Sequence, residues 1–388
     1  MEGAGEDPYL GAQIAKARVR GFQGDDLSLP DTIAATAKHF AAYGEVIAGR
    51  DYNNVDISRR KLWETHLPPF KAALDEGVRS FMNAFNDFDG VPATGSDYLQ
   101  QTILKERWDF QGLVVSDWDS IGEMEEHGYA RDLSDAARKA INAGNDVDME
   151  SSAYLDHLEE LIAAGEVSEQ TLDNAVRRVL TLKFALGLFD DPYAYANAAR
   201  EKLLVGHADH HLAARDAARK SAVLLKNAEQ ILPLSKAGQT IAVIGPLADD
   251  KDSPLGNWRG MAIANSAVSL LEGIRAAVGD DERVLYAEGA PLAIDGRAFA
   301  SKLTLNEDDR SGFAEAIAAA KKADVVVMAL GEDAYQSGEG RSRTVLDLAG
   351  LQQELFDAVA AVNDQIVVVL MSGRPLVIGD LADRSNAV

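Results

Sequence analysis

The chain has no cysteine. Disulfides, thiolate nucleophiles and cysteine-ligated metals are therefore excluded. The compartment is not fixed by that absence, since exported and cytosolic chains alike can do without the residue. Basic residues are scarce beside acidic ones: 38 Lys and Arg face 62 Asp and Glu, a formal charge of −24. Such a surface repels phosphate backbones and anionic bilayers, so neither a nucleic-acid partner nor a membrane is expected. No apolar run approaches the ~20 residues of a membrane span. No basic segment leading into an apolar core opens the chain, so no signal peptide is visible. Phosphate-loop patterns are missing as well. Gly245-Pro246-Leu247-Ala248-Asp249 follows an apolar run but fits neither G-x-G-x-x-G nor G-x-x-x-x-G-K, which discourages nucleotide binding. His207 and His211 are four apart, yet no H-E-x-x-H and no third ligand accompany them. No metal and no cofactor are expected.

What the chain does have is 388 residues, 47% of them hydrophobic, enough for two or three domains with sizeable cores. From Thr32 to Phe189 the pattern is strand, loop, helix, repeated. Apolar runs at Thr32–Ala37, Val78–Met82 and Leu113–Val115 and a shorter one at Asn145–Met149 read as strands. Helical periodicity covers Ser58–Asp75, Ser96–Lys105, Ser134–Ala143 and Glu169–Phe184. Alternation of this kind implies a parallel sheet. Polar groups gather where each strand ends, which is the functional face of a (β/α)8 barrel. Fewer strands can be counted than the eight a barrel needs. After Pro192 a helix from Asp209 to Leu225 leads into runs at Thr240–Gly245, Asp324–Leu330 and Ile366–Met371, separated by helices at Phe313–Lys322 and Leu351–Val362. The predicted class is α/β: an incomplete (β/α)8 TIM-type barrel over 1–195, a linker over 196–215, and an incomplete α/β/α sandwich over 216–388.

Three features stand out as candidate chemistry. Asp117 ends the run Gly112-Leu113-Val114-Val115-Ser116 and is followed by Trp118. A carboxylate beside an indole face suits a sugar site; the plainer alternative is a helix cap. Lys38 and His39 end the first strand, where they could grip sugar hydroxyls and keep a nearby carboxylate ionised. Gly331–Arg343, GEDAYQSGEGRSR, is a polar loop on a rigid strand edge, with Glu332 at the strand end and Glu339 at the tip. Read by composition alone, it is an ordinary loop whose Arg341 and Arg343 make surface ion pairs.

Taken together these stretches resemble glycoside hydrolase family 3, the retaining β-glucosidase group. The resemblance is carried by Glu2-Gly3-Ala4-Gly5-Glu6-Asp7-Pro8-Tyr9-Leu10, Lys38-His39-Phe40, Gly49-Arg50-Asp51-Tyr52-Asn53, Val115-Ser116-Asp117-Trp118, Leu224-Leu225-Lys226-Asn227 with Leu232-Pro233-Leu234, and Ser337-Gly338-Glu339 with Ser342-Arg343. They fall in the family's order across nearly the whole chain. The resemblance implies that Asp117 is the nucleophile and Glu339 the general acid/base. It implies that Lys38 and His39 hold the sugar in the −1 subsite and that Trp118 borders it. Met82, Arg50 and Asp51 fall in segments that shape or support the pocket.

Some positions depart from the family pattern. Phe85 stands where tyrosine is common, so a hydroxyl is lost. Ala349 replaces a frequent proline. Ala41-Ala42-Tyr43-Gly44 replaces the Pro-Gly-His-Gly loop of the N-acetylglucosaminidase branch, which disfavours that branch. Family members also carry further barrel before Glu6-Asp7-Pro8, with a sugar-binding aspartate and an arginine that this chain lacks. The expectation is a fragment truncated at both ends. The implied activity is exo-acting hydrolysis of terminal β-D-glucosyl residues from oligosaccharides or aryl and alkyl β-glycosides. Alternatives are a β-xylosidase, a broad β-glycosidase, or an impaired fragment that at most binds carbohydrate. A homodimer is left open for the full-length form, as is a periplasmic or secreted location.

Overall fold

The computed structural model describes residues 3–298 and 301–388. Met1 and Glu2, where the first of the quoted stretches begins, lie outside the described residues. The chain divides into two compact units, Met1–His207 and Ala208–Val388.

The first unit opens with α1 (Pro8–Gln23), capped by Asp7, whose side chain accepts from the Leu10 N–H at 2.9 Å. Pro8 suits the first helical position, where its missing N–H costs nothing. Strands β1 (Thr36–Phe40), β2 (Ser80–Asn83) and β3 (Leu113–Val115) form a parallel sheet in that order, with Thr36 opposite Ser80 and Phe81 opposite Val114. Val147 adds a single parallel bridge to Val115 in place of the longer strand expected over 145–149. β1 begins four residues later than the apolar run suggests. The Thr32 hydroxyl bonds back to the Leu27 and Leu29 carbonyls and holds that segment as a turn. Lys38 and His39 therefore lie within the strand.

The expected helix over 58–75 forms, but not uniformly. Ser58 caps it through the Lys61 N–H. In Leu62–His66 the turn widens, and the Leu67 N–H donates to the Leu62 carbonyl, five residues back. Pro68 and Pro69, in α2 (Leu67–Asp75), supply no N–H to carry a regular ladder through this point. The core beneath is formed by Phe40, Phe81 and Val114 of the strands against Leu62, Leu67, Leu99 and Ile103. Helices α3 (Leu133–Ala143), α4 (Ala153–Ala163) and α5 (Glu169–Ala185) complete the unit. This is the strand–helix order of an incomplete (β/α)8 barrel.

The second unit begins with α6 (Ala208–Ser221). Its sheet is built from β4 (Ile241–Ile244), β5 (Val284–Ala287), β6 (Val325–Gly331) and β7 (Ile366–Met371), all parallel, in the order β7-β6-β4-β5. Side chains alternate between two cores, as a strand's two-residue period requires. Ala242, Ile244, Val326, Met328 and Leu330 pack on α8 (Phe313–Lys322) and α9 (Gln352–Ala360), whose Ala316, Leu355 and Phe356 are fully buried. Ile241, Val243, Val325 and Val327 face the opposite core with Leu271 of α7 (Leu270–Val278). Helices on both faces of a parallel sheet make an α/β/α sandwich.

Candidate active site

The carboxyl ends of β1, β2 and β3 bring one set of the candidate residues together. Asp117 lies two residues beyond β3 and is 9% exposed. Its Oδ1 accepts the Trp118 N–H at 2.7 Å. Its Oδ2 lies 3.1 Å from Nε2 of His39. No hydrogen bond is made across that contact, and Oδ2 is buried with no donor. A buried oxygen without a donor is costly and is kept where chemistry needs it. Asp117 does not cap the next helix: Glu123–Glu126 has Gly122 at its cap. Trp118 itself is 63% exposed and presents its indole to solvent.

His39 is packed edge-on against Tyr43, with ring centroids 5.3 Å apart. The Tyr43 hydroxyl donates to Asp51 at 3.4 Å, so Asp51 reaches Asp117 through two rings. Phe85, in the position where a tyrosine was expected, fills space beside Tyr43 and Tyr52. Met82 lies in β2 opposite Val115, and Lys38 is exposed on β1. Arg50 is exposed too, its backbone N–H closing a turn on Ile47. Asn86, fully buried, donates to the Ala41 carbonyl at 3.3 Å and steadies the segment after β1.

An acidic surround was not anticipated. Burial pushes the Glu123 carboxyl up to about 7, with the charges of Asp119, Asp117 and Glu126 adding to it. Burial raises Asp119 as well, helped by Asp148. The crowding of acids between 117 and 126 was the signal available in the sequence.

In the second unit Glu339 lies on the loop that follows β6. Its Oε2 accepts the Trp258 indole N–H at 2.9 Å. Asn257 Nδ2 donates to the Ser337 carbonyl at 3.1 Å. Arg259 pairs with Asp252 at 2.6 Å and also contacts the Tyr335 hydroxyl. Asp333, beside Arg297 at 2.7 Å, is pushed by burial up to about 6 against the pull of that guanidinium. Arg343 does form an ion pair, but a buried one: its partner is Glu332, at 2.8 Å. Trp258 and Arg259 were missed because they lie far from the loop in sequence. Among the described residues no group of three or more His, Cys, Asp or Glu is arranged to hold a metal ion.

Two family models match the chain. Residues 1–182 match the glycosyl hydrolase family 3 N-terminal domain, and residues 222–388 match the glycosyl hydrolase family 3 C-terminal domain. A periplasmic beta-glucosidase of Salmonella typhimurium is 40% identical over 398 residues, covering 100% of this chain and 52% of that protein. A beta-xylosidase of Formosa agariphila is 34% identical over 403 residues, covering 100% of this chain and 54% of that protein. A crystal structure of beta-glucosidase from Listeria innocua in complex with gluconolactone superposes with a TM-score of 0.90 at 36% identity, covering 100% of this chain and 51% of that one. The chain thus spans about half the length of the curated relatives it matches.

Proposed function

The chain belongs to glycosyl hydrolase family 3, and we propose that it carries the reacting groups of an exo-acting, retaining β-glucosidase. The observation that carries this reading is Oδ2 of Asp117, buried beside His39 and left without a donor. Such an oxygen keeps a lone pair free for the anomeric carbon of a terminal β-glucosyl residue. Glu339, protonated, gives its proton to the departing glycosidic oxygen as the bond to Asp117 forms. Water then attacks the glycosyl-enzyme, and Glu339 takes the water's proton, which returns sugar of retained configuration. Lys38 and His39 hold the sugar's hydroxyls, Trp118 offers its exposed indole as a wall, and Met82 and Asp51 shape the pocket around them. Arg50 supports that segment from outside.

A β-xylosidase is the second reading, favoured by the 34% identity with the Formosa agariphila enzyme. The periplasm is the proposed location, by analogy with the Salmonella typhimurium relative. The test is release of nitrophenol from aryl β-glucosides and β-xylosides by the full chain. Faster turnover of glucosides is expected. Preference for xylosides would replace the first reading with the second, and no turnover of either would overturn both. Glu339→Gln should lower kcat/KM, which reports the first step, by on the order of 100- to 10,000-fold for poor leaving groups while sparing it for activated ones. Equal losses on both would remove Glu339 from its role.

A further inference from the structure

A buried ion cluster lies under the loop that carries Glu339. Glu332 immediately follows β6 and is 5% exposed. Its carboxylate meets Arg343 Nη1 at 2.8 Å and Arg374 Nε at 3.1 Å, and Ser372 Oγ donates to it at 3.0 Å. Arg374 has a second set of partners. Its Nη2 donates to the Gln336 carbonyl at 2.6 Å and to the Arg341 carbonyl at 2.8 Å. Those carbonyls stand on either side of Glu339. One guanidinium, three residues beyond β7, therefore ties both feet of the loop tip to a carboxylate anchored at the end of β6.

The tip needs such a tie. Gly338 and Gly340 hold φ of 112° and 67°, and glycine leaves a backbone free to leave such conformations. The forked guanidinium can bind a carboxylate along one edge and carbonyls along another, which a lysine ammonium does not reproduce. We propose that Arg374, seated on Glu332, is a positioning residue for Glu339: it fixes where that carboxyl stands without itself touching substrate. This rests on the proposed role of Glu339 as acid/base. A displacement of about 1 Å at a reacting group can cost on the order of 100-fold in rate.

The test uses the full chain with Arg374→Lys and, separately, Glu332→Gln, read in two ways. The first readout is leaving-group dependence. Both variants should lose on the order of 10- to 100-fold in kcat/KM on aryl glycosides with poor leaving groups, with kcat/KM on activated substrates changed about threefold or less. The second needs no catalysis. Trypsin cleavage after Arg341 and Arg343, followed by mass spectrometry, should quicken by about tenfold, while cleavage elsewhere in 208–388 keeps its wild-type rate. If Arg374→Lys opens every site, it has unfolded the unit and Glu332→Gln decides. Wild-type loop cleavage together with wild-type leaving-group dependence in a folded variant would overturn the proposal. Glu339→Gln runs beside them: if it shows no leaving-group effect, the acid/base reading falls, while trypsin still decides whether Arg374 holds the loop.

Discussion

Gly331, the last residue of β6, is where the sheet hands over to the Glu339 loop, and Gly331→Ala should damage that junction in a measurable way. Its φ is +136°, in a region that only glycine enters without strain, worth about 1–3 kcal/mol for any other residue. A Cβ there would lie 2.7 Å from the Met371 carbonyl carbon and 2.9 Å from its nitrogen, and would overlap the oxygen. Ordinary carbon contacts begin near 3.5 Å, so β7 would have to retreat by roughly 0.8 Å or more. The retreat strains the Glu332 N–H bond to the Met371 carbonyl, now 2.8 Å. It also disturbs the pair by which Gln352 clasps Gly331, 2.8 Å in each direction. Losing one such bond adds about 1 kcal/mol, for a total of about 2–4 kcal/mol. Hydrogen exchange read by mass spectrometry on Val325–Gly331 and Ile366–Met371 would then quicken about 30- to 1,000-fold, at tenfold per 1.4 kcal/mol. Gly273→Ala, on α7, is the control: its φ is not positive and its Cβ meets nothing within 4 Å, so strand exchange should not quicken. Exchange in Gly331→Ala within threefold of wild type would refute the steric reasoning.

Asp135 supplies a second expectation. Burial alone would raise its pKa, but the hydrogen bonds from Arg138, Lys139 and the Arg131 N–H outweigh it and hold the carboxyl below the usual range. A lowered carboxylate pKa contributes stability above the unfolded value of 3.8 and loses it as pH falls toward the folded one. Asp135→Asn should therefore cost about 2–4 kcal/mol near neutrality, less than a wholly buried pair because its partners are part-exposed. The gap from wild type should close in acid; a gap independent of pH in thermal unfolding would contradict it. Glu123 has the opposite sign. Its carboxyl titrates near 7 rather than 4.5, so the folded chain loses stability as pH rises between those values. Glu123→Gln should flatten that slope and stabilise the chain at pH 8, and an unchanged slope would show that the carboxyl is not held in this way.

Much of the fold was written in short-range pattern. β7 and α8 take the bounds read from the sequence, because an unbroken β-branched run and an alanine-rich helix leave few alternatives. β5 and α7 were passed over, although Ser269 and Glu272 form a capping box whose S-x-x-E spacing was in plain view. The site divides in the same way. Glu339 stood out only through the family resemblance, its loop being ordinary by composition, whereas Asp117 and the Lys38-His39 pair could be singled out because polar groups at the end of an apolar run are a local feature. Trp258 and Arg374 could not, because each earns its place by a contact across 81 or 42 residues. Arg50 fits its family segment, yet it lies on an exposed turn while its neighbour Asp51 turns toward Tyr43.

The most direct measurement is to trap the glycosyl-enzyme. Incubating the full chain with a 2-deoxy-2-fluoro-β-glucosyl fluoride slows deglycosylation more than glycosylation, and digestion followed by mass spectrometry then locates the sugar. One fluoroglucosyl group on Asp117, absent from Asp117→Asn, is the expected result. A label on Asp119, Glu123 or any other carboxylate, or full turnover by Asp117→Asn, would contradict the assignment of Asp117 as nucleophile.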